Sequence, residues 1–172
     1  MIWFTSDLHL GHRAAIGMCE RSFETVEEMN EILIHNFNSC VKKNDTIYIL
    51  GDIAHRTLVV EVNQLISRLN GKKILCKGNH DKNYDAKLFA GIYDFLEIAI
   101  NVINVSLMYY PMMSWPKSRY GALHLHGHIH SKGDYNLQQR NDGILRYDVG
   151  VDANNFYPVS IEQVKEFFKV SL

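Results

Sequence analysis

Three features that would point to particular protein classes are missing from this sequence. Its cysteines, Cys19, Cys40 and Cys76, are odd in number, well separated and outside any CxxC pair. This usage argues against a disulfide framework and is typical of reduced thiols in an intracellular protein. No apolar run approaches the roughly 20 residues of a membrane-spanning helix, and no basic, apolar leader precedes the first strand-like segment. We therefore expect a cytoplasmic protein with no membrane partner.

The sequence also lacks an excess of charge of one sign. Lys and Arg number 18 and Asp and Glu number 19, which gives a net charge of −1 with histidine neutral. A protein that follows nucleic acid phosphates usually needs a basic stripe, so net charge predicts no nucleic acid partner, although it leaves that class open. The chain has no repeat, low-complexity tract or linker. Its 172 residues and 47% apolar content fit one globular domain over residues 1–172.

Histidine is the residue in excess, and several of the nine copies lie in short polar clusters. Each cluster follows a strand-like apolar segment directly. The clusters are Asp7 and His9, Gly51 and Asp52, the tetrapeptide Gly78-Asn79-His80-Asp81, and Gly127, His128 and His130. Because open α/β sheets bind their ligands at the carboxyl ends of the strands, we expect these clusters to share one rim.

The hydrophobic pattern predicts an α/β fold. Strands alternate with helices in the first half, which is typical of parallel crossover units, whereas hairpin-type strands dominate afterwards. The predicted strands cover 1–5, 46–50, 72–76, 95–110 with turns at Asn101 and Asn104, 122–126 and 144–149; the predicted helices cover 14–19, 26–41, 57–69 and a last segment from the Ser160 cap to Phe168. We expect a four-layer α/β/β/α sandwich of two mixed sheets with flanking helices.

Two of the clusters contain metal-ligand types at strand spacing. Asp7 and His9 lie two residues apart, and residues i and i+2 of a strand end point to the same side. A carboxylate and an imidazole can therefore converge on one cation. The same spacing separates His128 and His130.

The remaining clusters add oxygen ligands and a candidate acid. Asp52 and Asn79 turn the set into a mixed nitrogen and oxygen site, which suits Mn, Fe, Zn, Ni or Co better than an all-thiolate site would. The set exceeds the needs of one tetrahedral ion, and a carboxylate such as Asp52 can bridge two cations that act on a phosphate ester. His80 is placed to protonate a leaving alkoxide, and Asp81 to orient a neighbouring imidazole.

Taken together, these clusters resemble the motif series of the calcineurin-like metallophosphoesterases. The motifs Asp7-x-His9, Gly51-Asp52, Gly78-Asn79-His80-Asp81 and Gly127-His128-x-His130 follow the order of that family and cover nearly the whole chain. The chain resembles the small, single-domain bacterial or phage-type members. The resemblance implies the four-layer fold and a metal-dependent hydrolysis of a phosphomonoester or phosphodiester.

The resemblance also implies a dinuclear centre and a metal-bound hydroxide that attacks phosphorus. One cation would take Asp7, His9, Asp52 and His130, and the other would take Asp52, Asn79, His128 and one further histidine. His80 and Asp52 would be the catalytic residues, with His80 as the acid or phosphate-binding group. Two divalent transition-metal ions are implied, with manganese expected first and Fe, Zn, Ni or Co as alternatives.

Tyr109 departs from the family pattern. The family has a histidine ligand where this chain reads Met108-Tyr109-Tyr110-Pro111. Three interpretations are open. Tyr109 could bind trivalent iron as tyrosinate, or the second cation could be weakly held with water at the position of the missing histidine. The second cation site could also be lost. We favour weak binding, because a phenol with a pKa of about 10 resists deprotonation without a strong Lewis acid. His126 is the better of the nearby histidines to fill the gap.

Four further residues, His12, Arg13, His55 and Arg56, follow the motifs closely and could line a phosphate pocket. His12, Arg13 and His55 are the candidate substrate-binding residues. Solvated residues in turns or at helix starts explain all four equally well. Two other functions compete with the phosphoesterase. Tyr109 favours a non-catalytic or weakly active scaffold of the same fold, and a nuclease is disfavoured by the net charge. The sequence indicates no oligomeric state.

Overall fold

Two β-sheets and five α-helices build the protein, whose computed structural model describes residues 1–169. The strands are β1 (Ile2–Thr5), β2 (Thr46–Leu50), β3 (Lys72–Cys76), β4 (Gly91–Tyr93), β5 (Phe95–Ile100), β6 (Ile103–Met108), β7 (Leu123–His126), β8 (Arg146–Asp148) and β9 (Val159–Ser160). The helices are α1 (Ala14–Met18), α2 (Val26–Cys40), α3 (Val59–Ser67), α4 (Asp134–Asn141) and α5 (Ile161–Phe168). Within residues 1–169, no helix is long and apolar enough to cross a membrane.

Both sheets are mixed. The first has the strand order β4-β3-β2-β1-β9, in which β1 to β4 are parallel and β9 is antiparallel to β1. The second has the order β5-β6-β7-β8, in which β5 and β6 form an antiparallel hairpin while β6, β7 and β8 are parallel. The hairpin character predicted for the second half therefore holds for one strand pair, because the connections after β6 cross over.

An apolar layer fills the space between the two sheets. Phe4, Leu50, Leu107 and Leu125 contribute one buried side chain each from β1, β2, β6 and β7. The opposite face of the first sheet packs against α2 and α3 in a second apolar cluster. Helix α4 lies against β8 on the outer side of the second sheet. This layer order confirms the predicted four-layer α/β/β/α sandwich of two mixed sheets with flanking helices.

Local signals in the sequence fix several element boundaries. Thr25 caps α2, because its hydroxyl accepts a hydrogen bond from the backbone N of Glu28 at 3.1 Å. Asn101 forms the β5–β6 turn with a φ of +54°, as predicted. The second predicted turn residue, Asn104, lies inside β6 instead and pairs with Ala99. A short hairpin loop leaves no room for a second turn three residues later.

The parallel strands bring the polar clusters to one edge of the molecule. The loops after β1 and β2 are tied together by backbone hydrogen bonds from Asp7 N to Gly51 O (3.0 Å) and from His9 N to Asp52 O (3.1 Å). Ser6 forms an isolated parallel bridge with Gly150, which follows β8 of the second sheet. The rim therefore receives loops from both sheets and is held by main-chain contacts.

Candidate metal centre

Four side chains from three loops converge at this rim. His9 Nε2 lies 3.3 Å from His130 Nε2 and 3.8 Å from Asp52 Oδ2. Asp7 Oδ1 lies 3.7 Å from His130 Nε2. The ligand atoms of Asp7, His9 and His130 all lie within 4.8 Å of one another. One cation can therefore be reached by two carboxylates and two imidazoles.

The hydrogen bonds of Asp7 indicate that this cluster is built for a cation. Its Oδ2 accepts hydrogen bonds from Ser6 Oγ (2.7 Å) and from the backbone N of His128 (2.9 Å). Its Oδ1 is buried without a hydrogen-bond partner among residues 1–169. A buried, unsatisfied polar group costs about 1–3 kcal/mol, and more when charged. A divalent transition metal would satisfy this oxygen together with the adjacent imidazole nitrogens, so the residues fit the metal that the resemblance implies.

Burial also sets the protonation of these groups when no cation is bound. Burial raises the pKa of Asp7 to about 7. Burial and the neighbouring His130 and Arg21 lower the pKa of His9 to about 2, so its imidazole is neutral. A neutral imidazole is the form that binds a metal, and a cation next to Asp7 would favour its ionised form.

The candidate ligands share a strained backbone conformation. Five of them have φ between +47° and +77°: Asp7, His9, Asp52, His128 and His130. Non-glycine residues in this left-handed region cost on the order of 1–3 kcal/mol each, and such residues cluster at functional sites. The fold thus maintains unfavourable torsions at the positions that aim these side chains at one another.

A buried ion pair orients His130 from behind. Its Nδ1 lies 2.7 Å from Asp152 Oδ2 and 3.3 Å from Cys19 Sγ. Asp152 also accepts two hydrogen bonds from Arg21, at 2.8 and 2.9 Å. Burial disfavours the charged ring, but Asp152 raises the pKa of His130 to about 10. This arrangement directs Nε2 of His130 into the cluster.

The sequence did not indicate these supporting residues. Arg21 lies in a loop of ordinary composition, and its role depends on a contact across 131 positions to Asp152. Asp152 belongs to none of the motifs, and the nearby Asp148 fixes a turn by accepting from Gly150 N at 2.8 Å. One general rule points to such a residue. A metal-binding histidine commonly donates its other ring N–H to a carboxylate, so an acidic partner for His130 is expected elsewhere in the chain.

The residues assigned to a second cation meet around Tyr109. The Tyr109 hydroxyl donates to Asp52 Oδ2 at 2.6 Å and lies 3.2 Å from His128 Nδ1. Burial and the nearby Asp7 and Asp52 carboxylates raise the pKa of Tyr109 well above its usual range. Asn79 lines the same cavity and its Nδ2 lies 3.1 Å from His80 Nε2. A neutral phenol therefore stands between two of the candidate ligands.

His126 does not take the position left by the missing histidine. Its Nε2 lies 3.1 Å from the Tyr135 hydroxyl of α4, and its Nδ1 lies 2.8 Å from Gly127 O. Alternation along β7 directs His126 to the outer, α4-covered face of the second sheet, whereas Leu125 faces the layer between the sheets. The expectation that His126 fills the gap is corrected by this placement.

The loop of the GNHD motif is locked to the loop after β2. Asp81 Oδ2 accepts from the backbone N of Asp52 (2.9 Å) and of Gly78 (2.8 Å), and Oδ1 accepts from the Tyr84 hydroxyl (3.0 Å). Asp81 therefore ties two loops together and does not orient an imidazole, contrary to the prediction. Glycine is needed at position 78 because the two loops lie so close together that a Cβ there would collide with Asp52 Oδ1.

A cavity of about 420 Å³ opens over the cluster. Its lining includes candidate ligands, further histidines and one arginine: His9, His12, Asp52, His55, Arg56, Asn79, His80, Tyr109, His128 and His130, with Ala15, Met18 and Cys19 on the α1 side. His80 Nε2 lies 3.9 Å from Asp52 Oδ2, and its ring contacts the tilted ring of His55 with centroids 3.8 Å apart and an interplanar angle of 38°. Arg13 is exposed to solvent just before α1.

Comparisons with known proteins agree with this site. The sequence matches the model of the calcineurin-like phosphoesterase family over residues 1–158. It is 32% identical over 164 residues to an uncharacterized protein of Methanocaldococcus jannaschii, covering 95% of this chain and 88% of that protein. It is 30% identical over 182 residues to the Gene 66 protein of Mycobacterium phage L5, covering 88% and 86%.

A solved structure extends the likeness to the fold. A protein of unknown function from Aquifex aeolicus matches with a TM-score of 0.77 at 26% identity, covering 96% of this chain and 98% of that one. Each of these matches covers most of the chain. The chain therefore belongs to the calcineurin-like phosphoesterase family, whose members bind divalent metals and act on phosphate esters.

Proposed function

We propose that this chain is a metal-dependent phosphoesterase that hydrolyses a phosphomonoester or a phosphodiester. The observation that carries the proposal is the fully buried Oδ1 of Asp7, which has no hydrogen-bond partner among residues 1–169 and lies 3.7 Å from His130 Nε2, with His9 in the same cluster. Asp52, in the loop after β2, is the fourth candidate ligand of the same cation. A divalent ion bound by these side chains supplies a Lewis acid that polarises a phosphoryl oxygen and activates water.

Asp52 and His80 are the proposed catalytic residues. Asp52 Oδ1 accepts a hydrogen bond from the backbone N of His80 at 3.0 Å, which leaves Oδ2 directed at the cation set. His80 lines the cavity with a partly exposed side chain, so it can reach both substrate and solvent. It donates a proton to the leaving alkoxide or a hydrogen bond to the phosphoryl group. The adjacent ring of His55 limits its orientation.

His12 and His55 are the proposed contacts to the substrate phosphate. His12 is buried in the cavity wall, and neither of its ring nitrogens has a hydrogen-bond partner among residues 1–169. Burial lowers the pKa of both imidazoles below the ordinary value, so each offers one N–H donor near neutral pH. Arg13 has no place in this proposal, because its side chain is exposed at the start of α1.

The second cation of a dinuclear centre is held weakly in this proposal. Asp52, Asn79 and His128 provide its ligands, and Asp52 is shared with the first cation. Replacing an imidazole by the Tyr109 phenol removes a ligand that binds without deprotonation near neutral pH. Manganese is the first cation to test at both positions, with iron, zinc, nickel and cobalt beside it.

The proposal is tested with chelator-stripped protein and bis-p-nitrophenyl phosphate. Asp7→Asn should lose both bound Mn²⁺ and turnover, because it removes a charge from the cation set. Asp142→Asn is the matched control, since Asp142 is exposed and bonds only Gln138 at 2.8 Å; it should keep both. Hydrolysis that survives in Asp7→Asn would contradict the proposal. Bound metal without turnover on any ester would favour the scaffold alternative.

A further inference from the structure

We infer that the Tyr109 hydroxyl takes the place of the second cation, so that the working enzyme carries one divalent ion and prefers monoanionic phosphodiesters. The inference rests on the proposed function and concerns the same site. A second cation would need Asp52 Oδ2 and His128 Nδ1. The hydroxyl lies 2.6 Å from the first atom and 3.2 Å from the second. It therefore stands where that cation would bind.

One oxygen of Asp52 is already engaged in the GNHD loop. Its Oδ1 accepts the backbone N–H of His80 at 3.0 Å, a bond that forms part of the GNHD loop geometry. Oδ2 must then serve the first cation and the Tyr109 hydroxyl together. A second cation has to displace the hydroxyl from this oxygen before it can bind. Asn79 offers a neutral ligand only, and its amide also lies 3.1 Å from His80 Nε2.

The Tyr109 ring is packed too closely to move aside easily. Its exposed fraction is 2%, and its ring meets the edges of Tyr110 and His128 with centroids 5.0 Å away in each case. The main chain at Gly51 lies directly against the ring, since a Cβ at that position would collide with Tyr109 Cδ2. Close-packed interiors resist such displacement. The hydroxyl is therefore a fixed hydrogen-bond donor.

One cation in place of two changes the charge that the cavity offers to a substrate. The carboxylates of Asp7 and Asp52 balance a single divalent ion. A second divalent cation would add two positive charges. Without it, Arg56 is the one lysine or arginine among the described residues that line the cavity. A phosphodiester carries one negative charge, whereas a phosphomonoester carries nearly two at neutral pH. The charge of the site therefore favours the diester.

Metal counting tests the inference without relying on turnover. Wild-type protein equilibrated with Mn²⁺ should hold one ion per chain and show the EPR signal of isolated Mn²⁺. Tyr109→His supplies an imidazole ligand in place of the phenol, so this variant should bind a second Mn²⁺ in the same titration. The paired ions should show a spin-coupled EPR signal. The ratio of monoester to diester hydrolysis should rise in the same variant.

Two further variants test whether a gain in metal binding comes from position 109 and from removal of its hydroxyl. Tyr110→His places an imidazole one residue later on a partly exposed side chain and should stay at one ion. Tyr109→Phe keeps the ring and frees Asp52 Oδ2, so it should gain some affinity for a second ion even if Tyr109→His folds poorly. Thermal unfolding of each variant verifies the fold.

Three results would overturn the inference. These are two tightly bound ions in wild type, an unchanged ion count in both Tyr109 variants, or a tyrosinate-to-iron charge-transfer band in wild type. Each of them leaves the proposed function standing if hydrolysis needs the metal. Protein that binds no cation in any variant would instead overturn the proposed function and the inference together.

Discussion

Asp152→Asn is expected to weaken cation binding although Asp152 contacts no cation. The carboxylate holds His130 Nδ1 at 2.7 Å, and the amide of asparagine would replace that charged acceptor by a neutral one. Substitutions of such supporting partners cost roughly 10–100-fold in metal affinity. That range corresponds to about 1.4–2.8 kcal/mol of binding free energy. We expect the Kd for Mn²⁺ to rise within it.

The same substitution also disrupts a buried ion pair. Arg21 donates to both Asp152 oxygens at 2.8 and 2.9 Å, and both side chains are almost fully buried. Breaking a buried pair by removing one partner costs about 3–5 kcal/mol of folding stability. Unfolding and metal binding must therefore be measured separately, by urea denaturation in chelator and by calorimetric titration with Mn²⁺ well below the unfolding transition.

Arg21→Gln separates the two effects. It breaks the same ion pair and also removes the hydrogen bonds from Arg21 to Asp7 O (2.7 Å) and Leu8 O (3.0 Å), but it leaves the Asp152 carboxylate on His130. It should therefore lose at least as much stability as Asp152→Asn while losing less Mn²⁺ affinity. A wild-type Kd in Asp152→Asn would refute the reasoning. An equal loss of affinity in Arg21→Gln would refute it too, because the loss would then follow from the contacts that Arg21 makes, including those to the Asp7 loop, and not from the charge that Asp152 presents to His130.

Two further predictions concern other histidines. His80→Ala should keep its bound cation and lose about 10²–10⁴-fold in turnover, because His80 acts on the leaving group; a parallel loss of metal content would contradict this role. Burial lowers the pKa of His124 to about 4 from the ordinary 6.5. The native state therefore favours the neutral ring, and roughly 3 kcal/mol of stability should be lost as pH falls from 6.5 to 4. Urea denaturation in chelator at pH 7 and pH 5 should show a smaller difference for His124→Gln than for wild type or for the exposed control His35→Gln.

Much of the fold could be predicted because local signals agreed with the final packing. The Thr25 cap and the apolar spacing after it predict a helix over 26–41, and α2 covers Val26–Cys40. The apolar runs at 46–50 and 72–76 become β2 and β3 with those bounds. Their parallel pairing explains why clusters far apart in sequence meet at one rim.

The supporting contacts of the site could not be predicted, since they depend on long-range geometry. The bond between His130 and Asp152 and the Arg21 pair behind it join segments from different loops. The placement of His126 depended on which face of β7 turns towards α4. Alternation along a strand gives two faces without telling which neighbour covers each.

The most direct test of the central claim follows bis-p-nitrophenyl phosphate hydrolysis and bound Mn²⁺ in the same samples of chelator-stripped wild-type protein. The account predicts no turnover without metal and a rate that rises in proportion to occupancy until one ion is bound per chain. A stripped protein that keeps its rate, or a rate that stays at zero while the first ion binds, would contradict it.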